Sequence, residues 1–148
     1  MASNRADLAA MMYPLSRALI AAELPILRTH EISMWGYAVL NTLVEQPIHT
    51  QSALAKAIGA DKTRIIPVLD ELQERALIER TPDPEDRRAR QLAVTDAGRA
   101  LRDAVQTDIQ RGEDHLLARL PAADRKAFLR ALALLAELPP EEIIYPAS

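Results

Sequence analysis

Five of the seven cations in one stretch, ADKTRIIPVLDELQERALIERTPDPEDRRARQLAVT (60–95), fall in two groups: Lys62 and Arg64, then Arg87, Arg88 and Arg90. A guanidinium can grip a phosphate or a base edge through two parallel hydrogen bonds, and a lysine ammonium suits phosphate. Lys62 and Arg64 follow Asp61, a good helix N-cap. They open a pattern that sets Ile65, Leu69, Leu72 and Ala76 on one buried face. The three arginines lie in PDPEDRRAR, too charged to bury, with prolines that refuse helix and central strand. A basic loop beside the outer face of a helix suits a DNA duplex. The helix would enter the major groove and the arginines the minor groove.

Other elements must hold those two groups in place. Residues 5–29 read as a helix with a stripe at Leu8, Met12, Leu15 and Leu19. Pro14 and Pro25 predict a late start or kink and a bend. Ser33 caps a second helix over 35–44, ended by Gln46 and Pro47, and Ile48 with His49 makes a stub of strand. Thr50 caps a third helix over 51–58, with Leu54, Ala55 and Ile58 buried and Gly59 closing it. A short helix, a glycine turn and a second helix form a helix-turn-helix signal. Short strands at 77–80 and 91–94 turn it into a winged helix whose joining loop is the wing. Thr95 caps a helix to about 120 with Leu101, Val105, Ile109 and Leu116 on one stripe. Pro121 opens a last helix carrying Phe128, Leu132, Leu135 and Leu138, stopped by Pro139 and Pro140.

The fold class is therefore mainly α, with a small two- or three-stranded antiparallel β-wing. Residues 33–99 form the winged helix-turn-helix. Residues 1–32 and 100–148 supply amphipathic helices that the DNA-binding unit does not need, and these are expected to bury their stripes in a two-fold homodimer. A monomer whose terminal helices pair with each other is the alternative.

Composition narrows the chemistry. The chain has 148 residues, no cysteine and four glycines. Thiolate metal sites, disulfides and phosphate-cradling glycine loops are therefore unavailable. No GxSxG or HExxH motif is present, so an enzyme is not expected. His30, His49 and His115 stand far apart, and neither a metal site nor a cofactor is expected. No apolar run is expected to span a membrane, and no secretory signal is read at the N-terminus, which places the chain in the cytoplasm. The net charge is −3, but 50–100 is balanced, with nine Lys/Arg and nine Asp/Glu, so the acidic excess lies outside it.

The order of elements, with DKTRIIPVLDELQERALIER, DPEDRRARQLAVTDAG and LPAADRKAFLRALALLAEL, resembles the MarR family of bacterial transcription regulators. The resemblance implies a homodimer on a palindromic operator, usually a repressor, often released by a small aromatic or phenolic ligand. It makes Arg88 the wing-tip arginine of the minor groove and Asp86 the carboxylate that orients it. Arg87 and Arg90 become phosphate contacts. The helix from Asp61 becomes the recognition helix, with Lys62, Thr63 and Arg64 as base-edge and phosphate candidates. Ser52 and Lys56 on the preceding helix are further phosphate partners. Val94 stands where the family usually has Leu, before Thr95 and Gly98. Pro67 stands where members frequently carry arginine, which shifts base readout toward Thr63 and Arg64. Effector pockets of the family lie between the first, second and fifth helices, where Met12, Tyr13, Leu15, His30 and Trp35 are the candidates. Trp35 taken singly reads as core. A winged helix that docks a protein instead of DNA, as antirepressor or adaptor, is the alternative function.

Overall fold

The computed structural model describes residues 4–46, 48, 50–82, 85 and 90–144. The side chain of Arg90 is outside that description. The elements are α1 (Leu8–Thr29), α2 (Met34–Glu45), α3 (Gln51–Ile58), α4 (Lys62–Glu74), β1 (Ile78–Pro82), β2 (Arg90–Val94), α5 (Asp96–Leu117) and α6 (Ala122–Ala136), then a 3-10 turn, Pro140–Glu142. The chain divides into two compact units, Met1–Ile109 and Gln110–Ser148.

Short polar caps set the helix starts of the first unit. Ser33 accepts from the Gly36 N–H at 2.9 Å, Thr50 from Ala53 at 3.0 Å and Asp61 from Arg64 at 2.9 Å. Each satisfies one amide that the helix itself cannot. Gly59 ends α3 at φ +73, a left-handed conformation that suits a residue without Cβ. The core beneath joins Val39, Leu40 and Leu43 of α2 with Leu54 of α3, Ile65, Leu69 and Leu72 of α4, Ile78 and Leu92 of the strands, and Val105 and Ile109 of α5.

Several expectations are corrected. Ala76 is neither helical nor buried: α4 stops at Glu74, and Ala76 turns left-handed at φ 58. That turn lets Leu77 N–H reach the Leu72 carbonyl at 2.9 Å, so Leu77 takes the core position instead. The sheet has two strands among the described residues, antiparallel, with Ile78 opposite Val94 and Pro82 opposite Arg90. Proline is tolerated at that last pair. Ile48 is buried but outside the sheet, while Pro47 and His49 lie outside the described residues. The helix of α1 begins at Leu8, not at Pro14, and runs through Pro25 as one span. It is 22 residues long and holds an 18-residue window of mean hydropathy 1.2, so by length and composition alone it is long and apolar enough to cross a membrane, which the sequence reading did not expect. Only Leu27 of α1 is buried.

Thr95 and Gly98 join α4, β1 and α5. The Thr95 hydroxyl donates to the Ala76 carbonyl at 2.7 Å and accepts from the Gly98 N–H at 3.0 Å, and Thr95 N–H reaches the Leu77 carbonyl at 3.1 Å. A Cβ on Gly98 would come within 2.0 Å of that same carbonyl oxygen, so only glycine permits the approach.

In the second unit, Arg125 donates to the carbonyls of Leu117 and Leu120 at 3.2 and 3.4 Å, capping the end of α5. No residue of α6 is buried. Leu116 on α5 and Phe128, Leu132 and Leu135 on α6 keep the expected helical spacing, while Leu138 falls past the end of α6 at Ala136; all five are exposed in the single chain. Glu113 is pushed up from the ordinary carboxylate value by partial burial and the neighbouring Asp114 charge. Among the described residues no three His, Asp or Glu side chains converge on a metal position.

Gly98→Ala is expected to lower stability by about 2–3 kcal/mol through overpacking. Gly112→Ala is the control. Its Cβ would meet nothing within 4 Å, so it should raise stability by up to about 1 kcal/mol. Urea unfolding of both variants checks this, and equal effects would contradict the close approach.

Candidate nucleic-acid interface

The first turn of α4 is ordered by its own cap. Asp61 accepts from the Thr63 hydroxyl at 2.6 Å as well as from the Arg64 amide. Those two hydrogen bonds hold its carboxyl below the ordinary value of 3.8. The Arg64 guanidinium lies over the Trp35 ring, 5.9 Å from its centroid. Trp35 is half-buried on the first turn of α2, so the platform belongs to the body of the winged helix.

The expected DNA residues are distributed as follows. Lys62, Thr63 and Arg64 are exposed at the start of α4. Ser52 and Lys56 are exposed one turn apart on α3, which packs on α4. Asp86, Arg87 and Arg88 lie outside the described residues. Arg90 is seen only as backbone, paired with Pro82 in the ladder.

One arginine that the sequence reading missed ties the wing to this helix. From β1, Arg80 donates to Gln73 at 2.5 Å, to Gln51 at 3.2 Å and to the Asp70 carboxylate. One side chain thus bridges β1, α3 and α4. The signal was present in sequence: Asp70 and Gln73 are three apart on one helix face, and Arg80 shares a strand face with Ile78. It also balances Asp70, an acid that would otherwise repel phosphate. Two further arginines brace the unit. Arg75 donates to the Glu31 carbonyl at 2.6 Å, and Arg102 of α5 reaches Asn41 at 2.9 Å and Glu45 at 3.5 Å on α2.

Comparison with known proteins agrees with this architecture. The MarR family model matches residues 32–89. A transcriptional regulator from Streptomyces coelicolor, PcaV, solved with its natural ligand, is 31% identical, with 93% of this chain and 98% of that one covered, at a TM-score of 0.64. The chain belongs to the MarR family. This MarR-family chain is also similar to the transcriptional repressor CouR, solved on a 23-mer DNA duplex, at 28% identity, 88% and 93% coverage and a TM-score of 0.74. A candidate regulatory protein for the hcr operon of Thauera aromatica is 31% identical over 107 residues, which is 72% of this chain but only 64% of that protein.

The expected ligand residues do not gather within one chain. Met12, Tyr13 and Leu15 are exposed on α1, with Arg17 stacked over Tyr13 at 5.6 Å. His30 lies just past the far end of that helix. A rise of 1.5 Å per residue separates it from Leu15 and Met12 by roughly 22–27 Å. His30 Nε2 is 2.8 Å from the Asp108 carboxylate of α5. Trp35 faces Arg64.

Asp61→Ala is expected to lower the thermal midpoint by a few degrees at neutral pH, since it removes the cap. A depressed carboxylate stabilises fully above its unfolded pKa and loses that contribution as pH falls through the folded one. The gap between wild type and variant should therefore stay constant down to about pH 5 and shrink below about pH 4. Calorimetry against pH measures it, and a gap unchanged at acid pH would contradict the assignment.

Proposed function

We propose that this chain is a homodimeric transcriptional repressor that binds a palindromic operator and is released by a small aromatic or phenolic ligand. One observation carries the reading. The capped start of α4 presents Lys62, Thr63 and Arg64 to solvent beside Ser52 and Lys56, and Arg80 anchors the wing to the same helix. Recognition by α4 in the major groove would place the loop with Asp86, Arg87 and Arg88 over the minor groove, with Arg90 at its root. The repressor CouR on its duplex supports repression through DNA binding, and PcaV with its natural ligand supports a ligand site. The chain would act in the cytoplasm.

Dimerisation is supported by apolar surface that a single chain leaves open. On α1, Leu8, Met11, Met12 and Leu15 follow helical spacing and are all exposed; α6 has no buried residue at all. A second copy is a better occupant for α1 than lipid. Arg17 near the middle of the helix would cost about 2.5–3.5 kcal/mol at the bilayer centre. In this reading 1–32 and 100–148 form the dimer, and 33–99 read DNA.

Duplexes selected from a random pool should be bound with affinity that falls roughly a thousandfold between 50 and 200 mM salt. Arg88→Ala should weaken binding by roughly tenfold and lower the salt slope by about one. Equal affinity for variant and wild type would remove Arg88 from the interface. Retention of no duplex at all would favour a protein-docking winged helix.

Sedimentation should show a dimer, converted to monomer by Leu15→Glu with Leu132→Glu. A wild-type monomer would overturn the dimer. In the same assay format, a small aromatic acid that both raises the thermal midpoint and releases the duplex is the expected effector. A broad panel of phenols and benzoates doing neither would reject that ligand class.

A further inference from the structure

Resting on the DNA-binding reading, one question is which base feature the outward face of α4 can recognise. Opposite the buried Ile65, Leu69 and Leu72 stand Thr63, Ile66, Pro67 and Asp70, at the i, i+3, i+4, i+7 spacing of one stripe, and all four are exposed. Their polar groups are mostly engaged inside the protein. The Thr63 hydroxyl is held by Asp61, and Asp70 is ion-paired with Arg80. Arg64, on the flank of the stripe, lies over Trp35.

That leaves Ile66, 42% exposed, and Pro67. Neither offers a side-chain donor or acceptor, and Pro67 lacks even a backbone N–H. Neither belongs to the apolar side chains packed on the core. The pair is therefore an apolar patch at the centre of the face that would enter the groove. The major groove displays one methyl group, the C5-methyl of thymine, set among the donors and acceptors that distinguish the other base edges.

We propose that Ile66 and Pro67 read thymine methyl groups, so that the centre of each half-site is selected for thymine by apolar contact. The polar and charged neighbours position the helix without naming the base at that point. A protein partner for the same patch is the competing occupant, and the test distinguishes it.

The full-length protein is used to select duplexes from a random pool. Each thymine of the selected site is then replaced singly by deoxyuridine, which removes the methyl and leaves every hydrogen-bonding group in place. Affinity is measured by anisotropy at one salt concentration. One or two positions in each half-site should weaken by about fourfold, the worth of one buried methyl-sized group. Ile66→Ala and Pro67→Ala should each abolish the penalty at one of those positions while leaving the salt slope unchanged. Pro67→Ala replaces proline with the best helix former, so loss of folding is not a confounding result.

If a duplex is selected and bound but uracil at every position leaves affinity unchanged, methyl recognition is wrong and DNA binding stands. If the penalties persist in both variants, other residues read the methyls and the assignment falls. If no duplex is selected, the DNA-binding reading fails and takes this inference with it.

Discussion

The close approach of Gly98 to the Leu77 carbonyl is the contact on which the winged helix depends. A Cβ there would run into the Leu77 carbonyl, in the link between α4 and β1, and into the Val94 side chain at the end of β2. Thr95 closes the approach with bonds to Ala76, Leu77 and Gly98. The consequence runs outward in both directions. The root of the wing is tied to the end of α4. The long helix α5 departs from the same knot. Arg80 adds a second tie on the outer side, between β1, α3 and α4.

An acidic chain can present a DNA-binding face only if its acids are locally balanced. The net charge is −3. Along α4 the acids nearest the outer surface have partners: Asp61 accepts two hydrogen bonds from its own helix start, Asp70 meets Arg80, and Glu71 lies 3.9 Å from Arg75. Such exposed pairs add little stability. Their effect is on the field, since each carboxylate that faces an arginine within the protein repels phosphate less.

Local signals in the sequence predicted the local structure well. Ser33, Thr50 and Asp61 cap the helices they were expected to cap, and Gly59 closes α3, because caps and glycine turns depend on a few neighbouring residues. The Thr95–Gly98 motif also stood out, but its reason did not. The clash it avoids is with Leu77, twenty-one residues earlier. Ala76 misled because its spacing continued the α4 stripe, while the helix end was decided by Leu77 taking the buried place. Trp35 had two readings, core or ligand platform. Its contact with Arg64 joins residues twenty-nine apart in sequence and has no local signature. Arg80 was missed although its partners Asp70 and Gln73 share a helix face, because nothing local pairs that face with β1. The apolar stripe of α6 was legible as a stripe, but not what covers it, since a pattern of leucines does not state whether its partner lies in the same chain.

The central claim is that two copies of α4 enter successive major grooves on one face of a duplex. Dimethyl sulfate and hydroxyl-radical footprinting of the protein on a selected duplex tests it directly. The account predicts major-groove protection in two patches one helical turn, about 34–36 Å, apart, flanked by minor-groove protection from the wings. Protection confined to one patch, or to the minor groove alone, would contradict it.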